Sequence, residues 1–237
     1  MEPTRTQLVI AVDDTDCPEQ GGTGRVARAI AERLAARWPV WGVTRHQFVV
    51  LPEIPYTRNN SGNAVHLAAP VDDPPALAAD VLDWLRELAL PGSDPGLCVA
   101  RPAALAGVDL GRQAQCRVVA RAEAYAAAEQ TGAILLAALS TDDGIVGAFA
   151  AACLAAQGSD GRFVQIGRMR ELCGRFEVAE VLAAGGDEVR SAQEQPLTAG
   201  VIIAARLRPA LRDGRCVLYC RPRSDGYWEA IAGAPGD

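Results

Sequence analysis

Lysine is absent from this sequence, and all 23 basic residues are arginines. This absence excludes a P-loop lysine, a Schiff-base lysine and a mechanism that adenylates lysine. Any phosphate group must therefore be bound by arginine, by backbone N–H groups or by a metal ion. The net charge of −6 also lacks the basic surplus that is typical of proteins that bind nucleic acid nonspecifically.

Long apolar runs are also absent, since none approaches the roughly 18–20 residues that are needed to cross a bilayer. The first residues lead to a short apolar run and lack a signal-peptide core. We therefore expect a cytoplasmic protein with no membrane partner. The seven cysteines are dispersed, which favours reduced, buried thiols. Cys216 and Cys220 lack the spacing of a zinc knuckle, so we expect no zinc.

The order of the hydrophobic patterns predicts an α+β (mixed α/β) fold. Strand and helix signals alternate at first, and strands then cluster towards the end of the chain. The apolar run Leu8–Val12 predicts a buried strand, and a second strand is expected at about 47–51. A continuous helix is expected over 112–130. The pattern divides the chain into domains at 1–132 and 133–237.

Three carboxylates follow the first predicted strand within four residues, at Asp13, Asp14 and Asp16, with Thr15 between them. In open α/β sheets, ligands bind at the carboxyl ends of strands. Carboxylate oxygens are hard ligands that suit Mg²⁺. The cluster therefore predicts a magnesium site, whereas the alternative is an ordinary solvated turn.

A glycine-rich loop follows, with Gly21, Gly22 and Gly24, and it leads into a helix. Glycines allow the backbone to approach a ligand closely, and N–H groups at a helix N-terminus bind anions. A metal site joined to a phosphate site predicts a Mg–nucleotide pocket. The Thr23 hydroxyl lies where a metal ligand, a helix cap or a phosphoryl acceptor would lie.

Two segments resemble a known family: V-x-x-x-DDTD followed by G-x-x-T, and the later segment IPYTRNNSGNAV. They are similar to the N-terminal half of the archaeal tRNA(Ile) agmatinylcytidine synthetases, called TiaS, which attach agmatine to a tRNA cytidine at the expense of ATP. Later stretches beginning at Asp94 and Asp143 match the family in the same order. The resemblance implies a kinase-like α/β N-terminal domain, 1–132, followed by a ferredoxin-like C-terminal domain, 133–237, that binds an amine such as agmatine.

The resemblance and the motifs together give a set of expected site residues, with ATP and Mg²⁺ as cofactors. The expected catalytic residues, of which the three aspartates also hold the metal, are Asp13, Asp14, Asp16 and Thr23. The expected ATP contacts are Thr15, Gly21, Gly22, Gly24 and Arg25. The expected substrate contacts are Arg58, Asn60, Gly62, Asn63, Asp143, Gly144 and Gly147.

The sequence departs from the family in two respects. The acidic loop is one residue longer and lacks the family's lysine, and we find no OB or zinc-ribbon module of the kind that holds tRNA. We therefore expect the enzyme to activate a small-molecule acceptor, or to act on tRNA with a partner protein that supplies RNA binding. In either case the expected attacking group is an amine such as agmatine, and the expected small-molecule partner is an amine or metabolite substrate.

Two other functions remain open at this point. A nucleotide-binding sensor or docking module would use the same pocket without turnover. An aspartate-nucleophile phosphatase would use a strand that ends in Asp-x-x-Asp, but the chain has no lysine to support that chemistry. The substrate segments also have simpler interpretations, as a polar turn around Asn60 and as an acidic helix N-terminus at Asp143.

Overall fold

A computed structural model describes residues 5–15, 22–54, 60–139 and 141–235. The chain forms two compact units, Met1–Gln157 and Gly158–Asp237. This division falls later than the boundary expected after residue 132, because the strand and the helix that follow 132 belong to the first unit. No helix in the described part of the chain has the length and apolar character that a membrane span requires.

The first unit contains five strands and six helices in its described residues. In chain order they are β1 (Leu8–Asp13), α1 (Thr23–Ala35), β2 (Val40–Gln47), β3 (Ser61–Leu67), α2 (Pro74–Leu88), β4 (Gly96–Ala100), α3 (Pro102–Leu105), α4 (Leu110–Ala114), α5 (Arg121–Thr131), β5 (Ile134–Ala137) and α6 (Ile145–Gln157).

The strands of this unit form a sheet in the order β5-β4-β1-β3-β2, and every neighbouring pair is antiparallel. The first six elements follow the order β-α-β-β-α-β, with β1 and β3 in the middle of the sheet. This is the split βαβ arrangement of ferredoxin-like folds. The α+β class is confirmed, and the ferredoxin-like fold expected for the C-terminal half stays a prediction.

Strand β1 is apolar from Leu8 to Val12 because both of its faces are covered. Val9 and Ala11 pack against α6 in the main core cluster. Helix α6 has many small apolar residues, and its residues from Gly147 to Ala155 are buried. On the opposite side α1 buries residues at helical spacing, including Val26, Ile30 and Leu34.

The second strand lies earlier than expected, at Val40–Gln47 instead of 47–51. Its buried positions include Thr44 and His46, whose side chains hydrogen-bond to each other at 2.8 Å. Thr44 also bonds to His66 of β3 at 2.8 Å. Because the buried residues Thr44 and His46 are polar and hydrogen-bond to each other, β2 lacks the alternation of apolar and polar residues by which a strand is recognised in a sequence.

The helix expected over 112–130 is two helices, α4 and α5, separated at 115–120. Helix α5 begins where the Glu123 carboxylate accepts the Ala120 N–H at 2.8 Å. Arg117 pairs with the same carboxylate at 2.6 Å. The break therefore depends on side-chain capping, with neither glycine nor proline at 115–120.

The second unit is built mainly of strands. Its described elements are β6 (Arg162–Ile166), a 3₁₀ turn at Met169–Glu171, β7 (Gly174–Glu177), α7 (Val178–Ala183), β8 (Glu188–Ser191), β9 (Val201–Ala204), β10 (Ala210–Arg212), β11 (Arg215–Pro222) and β12 (Trp228–Ala230). Their order is β6-β10-β11-β12-β9-β7, and β8 pairs with β11. Tyr219 is buried in this unit, and its hydroxyl donates to the Glu194 carboxylate at 2.9 Å.

Candidate functional site

Polar residues converge at one edge of the first unit's sheet, where β1 ends and its two neighbours begin. Because β3 and β4 run antiparallel to β1, their first residues lie beside its last ones. Val12 is paired with Asn63 of β3, and Asp13 is paired with Gly96 of β4. Asp94 lies just before β4. The strand register therefore brings residues that are far apart in sequence to the end of β1.

Asp13 lies against the first turn of α6. A Cβ atom added to Gly147 would lie 1.7 Å from Asp13 Oδ2, so only glycine leaves room for the carboxylate. A carboxylate at this end of a helix is stabilised by the helix dipole and by N–H groups that have no partner within the helix. Asp13 is thereby held in place by the fold.

Asp14 adopts a left-handed backbone conformation, with φ of 51°. Aspartate tolerates this region better than most residues, but non-glycine residues there are uncommon and often occur at functional sites. The Asp94 N–H donates to Asp14 Oδ2 at 3.3 Å. The backbone at Asp14 therefore turns its carboxylate towards the segment that precedes β4.

Asp94 connects the end of β1 to the loop before α6. Its Oδ2 accepts the Thr141 hydroxyl and, at 2.7 Å, the Asp143 N–H. Its backbone carbonyl accepts the Gly144 N–H at 3.1 Å. Asp94 is 8% exposed. It therefore fixes the position of Asp143 and Gly144 relative to Asp14.

The loop before α6 is also held from α5. The Tyr125 hydroxyl donates to Asp142 Oδ2 at 2.8 Å, and Asp142 has a left-handed φ of 61°. Arg121 pairs with Asp143 Oδ1 at 3.3 Å and donates to the Thr141 carbonyl. Desolvation and the hydrogen bond to Asp142 raise the pKa of Tyr125. The acidic loop is thus braced by an aromatic hydroxyl and a guanidinium.

The N-terminus of α1 provides backbone N–H groups at the same edge. The helix begins at Thr23 after Gly22, with no side-chain cap and no acidic residue in its first turn. Gly24 faces Asn63, whose Oδ1 would lie 3.5 Å from a Cβ atom at that position. Thr23 was an expected cap residue, but it is the first residue of the helix and is 7% exposed.

Three buried polar atoms in this region have no hydrogen-bond partner among the described residues: Thr15 Oγ1, Asn63 Oδ1 and Asp94 Oδ1. Thr15 and Asn63 are each 1% exposed. A buried polar atom without a partner costs roughly 1–3 kcal/mol, so such atoms are uncommon. Their position around the end of β1 is the arrangement expected of a site that binds a polar ligand.

Five of the remaining expected residues either lie outside the described part of the chain or make hydrogen bonds away from the end of β1. Asp16, Gly21 and Arg58 lie outside the described residues. Arg25 is exposed and donates to the Leu88 carbonyl at 3.2 Å, and the Asn60 amide donates to the Val49 carbonyl at 2.7 Å.

Gly62 is tightly packed, since its Cβ would lie 2.9 Å from the Gly147 carbonyl oxygen. Close packing of β3 on α6 is thus sufficient to require glycine at this position. Within the described residues, no group of three or more His, Cys, Asp or Glu side chains is arranged to hold a metal ion. The expected metal set includes Asp16, which lies outside that part of the chain.

Sequence reasoning did not assign Asp94, Thr141 or Arg28 to the site. Arg28 Nη1 would lie 3.6 Å from a Cβ atom on Gly24. Asp94 and Thr141 are far from Asp14 in sequence, and only the strand register brings them together. The sequence did show that the stretch beginning at Asp94 matches a stretch of the TiaS family in the same order. That match aligns Asp94 with the family but assigns it no role.

No protein-family model matches the chain, and no curated protein matches its sequence. Among solved structures, a complex of TiaS with tRNA and ATP matches with a TM-score of 0.56 and 24% identity, covering 62% of this chain and 36% of that chain. The chain has a TiaS-like fold.

Two further TiaS structures match at 22% identity and a TM-score of 0.54, each over 62% of this chain. They are apo TiaS, described as a tRNA agmatidine synthetase and covered to 35%, and a complex of TiaS with tRNA, AMPCPP and agmatine, covered to 36%. Identities this low show the fold alone. The chain spans about a third of the length of the TiaS structures that it matches.

Proposed function

We propose that this protein is an Mg-ATP-dependent enzyme of the ligase or phosphoryl-transfer type, with its site at the carboxyl end of β1. The observation that carries the proposal is the convergence of Asp13, Asp14 and Asp94 with the N-termini of α1 and α6. Buried polar atoms without partners among the described residues lie at the same place. The TiaS-like fold supports this proposal, because one matching TiaS structure contains ATP and another contains AMPCPP.

The chemistry of the donors fits a magnesium–nucleotide ligand. Asp13, Asp14 and Asp16 would supply hard oxygen ligands, and Mg²⁺ usually takes one or two carboxylates together with substrate phosphates. The N–H groups at Gly22–Gly24 suit phosphate oxygens. When bound, Mg-ATP would supply the activated phosphoryl group. The residues of the chain would orient it and stabilise charge, which is how most phosphoryl transfer is catalysed.

Thr23 is the proposed phosphoryl acceptor. As the first residue of α1, it has its hydroxyl at the end of the helix where phosphate is favoured. Its low exposure would limit competition from water. The alternative role within the same proposal is that its hydroxyl positions the terminal phosphate of ATP.

The proposed second substrate is an amine, bound beside the acidic loop before α6. Asp142 and Asp143 would attract a cationic group, and Asp94 fixes their loop to the end of β1. Asn63 and the segment that contains Arg58 and Asn60 would complete the substrate contacts. Agmatine is present in one matching TiaS structure, which supports an amine of this class.

We propose that any action on tRNA involves a partner protein that supplies RNA binding. Two matching TiaS structures contain tRNA, which supports tRNA as one possible acceptor class. The acidic net charge of −6 favours RNA binding by another protein. A small-molecule acceptor is the alternative that needs no partner.

Intact-mass spectrometry after incubation with Mg-ATP tests the proposal. The wild type should gain one phosphoryl group, and the gain should disappear in Asp14→Ala and in Thr23→Val, which keeps the side-chain shape. Asp80→Ala is the matched control, because Asp80 is half-exposed and pairs with Arg37 at 3.0 Å on the surface.

Retention of the phosphoryl group in Thr23→Val would contradict the acceptor role of Thr23. ATP binding without any gain would favour direct transfer or a nucleotide sensor. An acid-labile gain located on an aspartate would favour the phosphatase chemistry instead. The absence of both a gain and ATP binding would refute the nucleotide proposal.

A further inference from the structure

The absence of lysine leaves arginine as the only side chain that can neutralise an anion at the start of α1 at neutral pH. Two arginines lie in the first two turns of this helix, Arg25 and Arg28. Their side chains take different directions. Arg25 is exposed and donates to the carbonyl of Leu88, the last residue of α2. Arg28 is half-buried and lies along the helix towards its N-terminus.

Arg28 and Asn63 lie on two sides of a niche at Gly24. A Cβ atom on Gly24 would be 3.6 Å from Arg28 Nη1 and 3.5 Å from Asn63 Oδ1. Both distances are ordinary van der Waals separations, so the described residues leave room for a methyl group in the niche. A guanidinium and an amide therefore face the same small space.

The backbone at this niche favours an anion. Helix α1 has 13 residues, no side-chain cap and no acidic residue in its first turn. The Arg25 N–H donates to the Gly22 carbonyl at 2.7 Å, whereas the N–H groups of Thr23 and Gly24 precede the first helical hydrogen bonds. At α6, by contrast, the Asp13 carboxylate already lies against the first turn.

Asn63 gives a second, independent indication of a ligand. Its side chain is 1% exposed, and its Oδ1 has no hydrogen-bond partner among the described residues. The fold has therefore buried a polar atom beside the helix N-terminus without satisfying it. A ligand that carries both anionic oxygens and a donor, such as a hydroxyl or a bound water, would satisfy the helix and the amide together.

We propose that Arg28 is the phosphate-binding cation of this site and takes the role that lysine cannot fill in this chain. Phosphate oxygens of a nucleoside polyphosphate occupy the niche at Gly24, between the Arg28 guanidinium and the N–H groups of Thr23 and Gly24. Asn63 binds a hydroxyl or water of the same ligand. The inference rests on the proposed function and adds the residue that determines its affinity for phosphate.

Gly24 provides a test that separates binding from folding. Alanine at this position meets only ordinary contacts from the residues that the structure describes, and the φ of Gly24 lies outside the left-handed region. In a helix, alanine is favoured over glycine by up to roughly 1 kcal/mol. Gly24→Ala should therefore fold at least as stably as the wild type, although its methyl group occupies the niche.

The experiment is calorimetric titration of Mg-ATP, tripolyphosphate and adenosine into the wild type, Arg28→Gln, Arg28→Lys and Gly24→Ala. Arg37→Gln is the matched control, because it removes the same charge just beyond the other end of α1 and breaks a surface pair with Asp80. We expect Mg-ATP and tripolyphosphate to bind at least tenfold more weakly to Arg28→Gln and to Gly24→Ala. Arg28→Lys should retain part of the affinity, and Arg37→Gln should match the wild type.

The outcomes distinguish this inference from the proposed function. Mg-ATP binding that is equal in the wild type and Arg28→Gln would refute the role of Arg28 and leave the nucleotide site standing. Tripolyphosphate binding that depends on Arg28, without Mg-ATP binding, would support the anion niche and refute the nucleotide proposal. Binding of neither ligand by the folded wild type would overturn both.

Discussion

Replacing Gly147 with alanine should destabilise the protein, although alanine normally stabilises a helix. The added Cβ would lie 1.7 Å from Asp13 Oδ2, 2.6 Å from its Cγ and 3.0 Å from its Cβ. Overpacking of this kind typically costs about 1–3 kcal/mol. Displacing the carboxylate from the helix N-terminus adds roughly 0.3–1 kcal/mol. Since the helix-propensity gain is at most about 1 kcal/mol, the clash dominates.

We expect Gly147→Ala to lower the free energy of unfolding by about 2 kcal/mol, which corresponds to a fall in Tm of roughly 4–8 °C for a chain of this size. Thermal unfolding followed by near-UV circular dichroism measures this fall. Gly107→Ala is the matched control, because no described residue outside 106–108 comes within 4 Å of its added Cβ.

The double variant Gly147→Ala/Asp13→Ala isolates the cause of the loss. Without the carboxylate, the closest remaining contact from Asp13 is its own Cβ at 3.0 Å. The double variant should therefore lose about 1–2 kcal/mol less free energy of unfolding than the sum of the losses in the two single variants. Additive losses, or a Gly147→Ala protein as stable as the wild type, would refute the placement of Asp13 against α6.

Two further predictions concern buried polar groups. Desolvation, with a smaller effect of His46, lowers the pKa of His66 to about 3. The unfolded state binds this proton below about pH 6.5, whereas the native state does not. The contribution of His66 to the free energy of unfolding should therefore be constant above pH 6.5 and fall towards pH 3. At pH 5 this loss is about 2 kcal/mol, because each pH unit below 6.5 costs 1.36 kcal/mol. Urea unfolding should therefore show a free energy of unfolding that depends less on pH in His66→Gln than in the wild type. An equal pH dependence would contradict the lowered pKa of His66. Asp94→Ala should remove the acceptor of the Asp143 N–H and increase its hydrogen exchange at least tenfold, whereas unchanged exchange would show that Asp94 does not hold the loop.

The parts of the fold that follow from the sequence are those in which burial is apolar and periodic. Strand β1 lies within one residue of its expected end. Strand β2 was misplaced because its buried positions include Thr44 and His46, which satisfy each other by hydrogen bonds. The break between α4 and α5 was missed because it depends on the capping of Ala120 by Glu123.

The candidate site could also be predicted from the sequence only in part. The acidic and glycine motifs were visible because Asp13, Asp14 and Gly24 are close in sequence and follow a strand. The placement of Asp94 and Arg28 beside these motifs was not visible. Asp94 reaches Asp14 only through the antiparallel pairing of β1 with β4, and Arg28 is distinguished from Arg25 only by side-chain direction. Local motifs thus predicted where the site lies, and tertiary register determined which side chains complete it.

A calorimetric titration of ATP, with and without Mg²⁺, into the wild type and Asp13→Asn tests whether this protein binds Mg-ATP through the carboxylates at the end of β1. Asp80→Asn serves as the control for the loss of one carboxylate. We expect the wild type to bind Mg-ATP, and we expect omission of Mg²⁺ or the change of Asp13 to weaken binding at least tenfold, or by about 1.4 kcal/mol. Binding that depends on neither Mg²⁺ nor Asp13, or no binding by the folded wild type, would contradict the account.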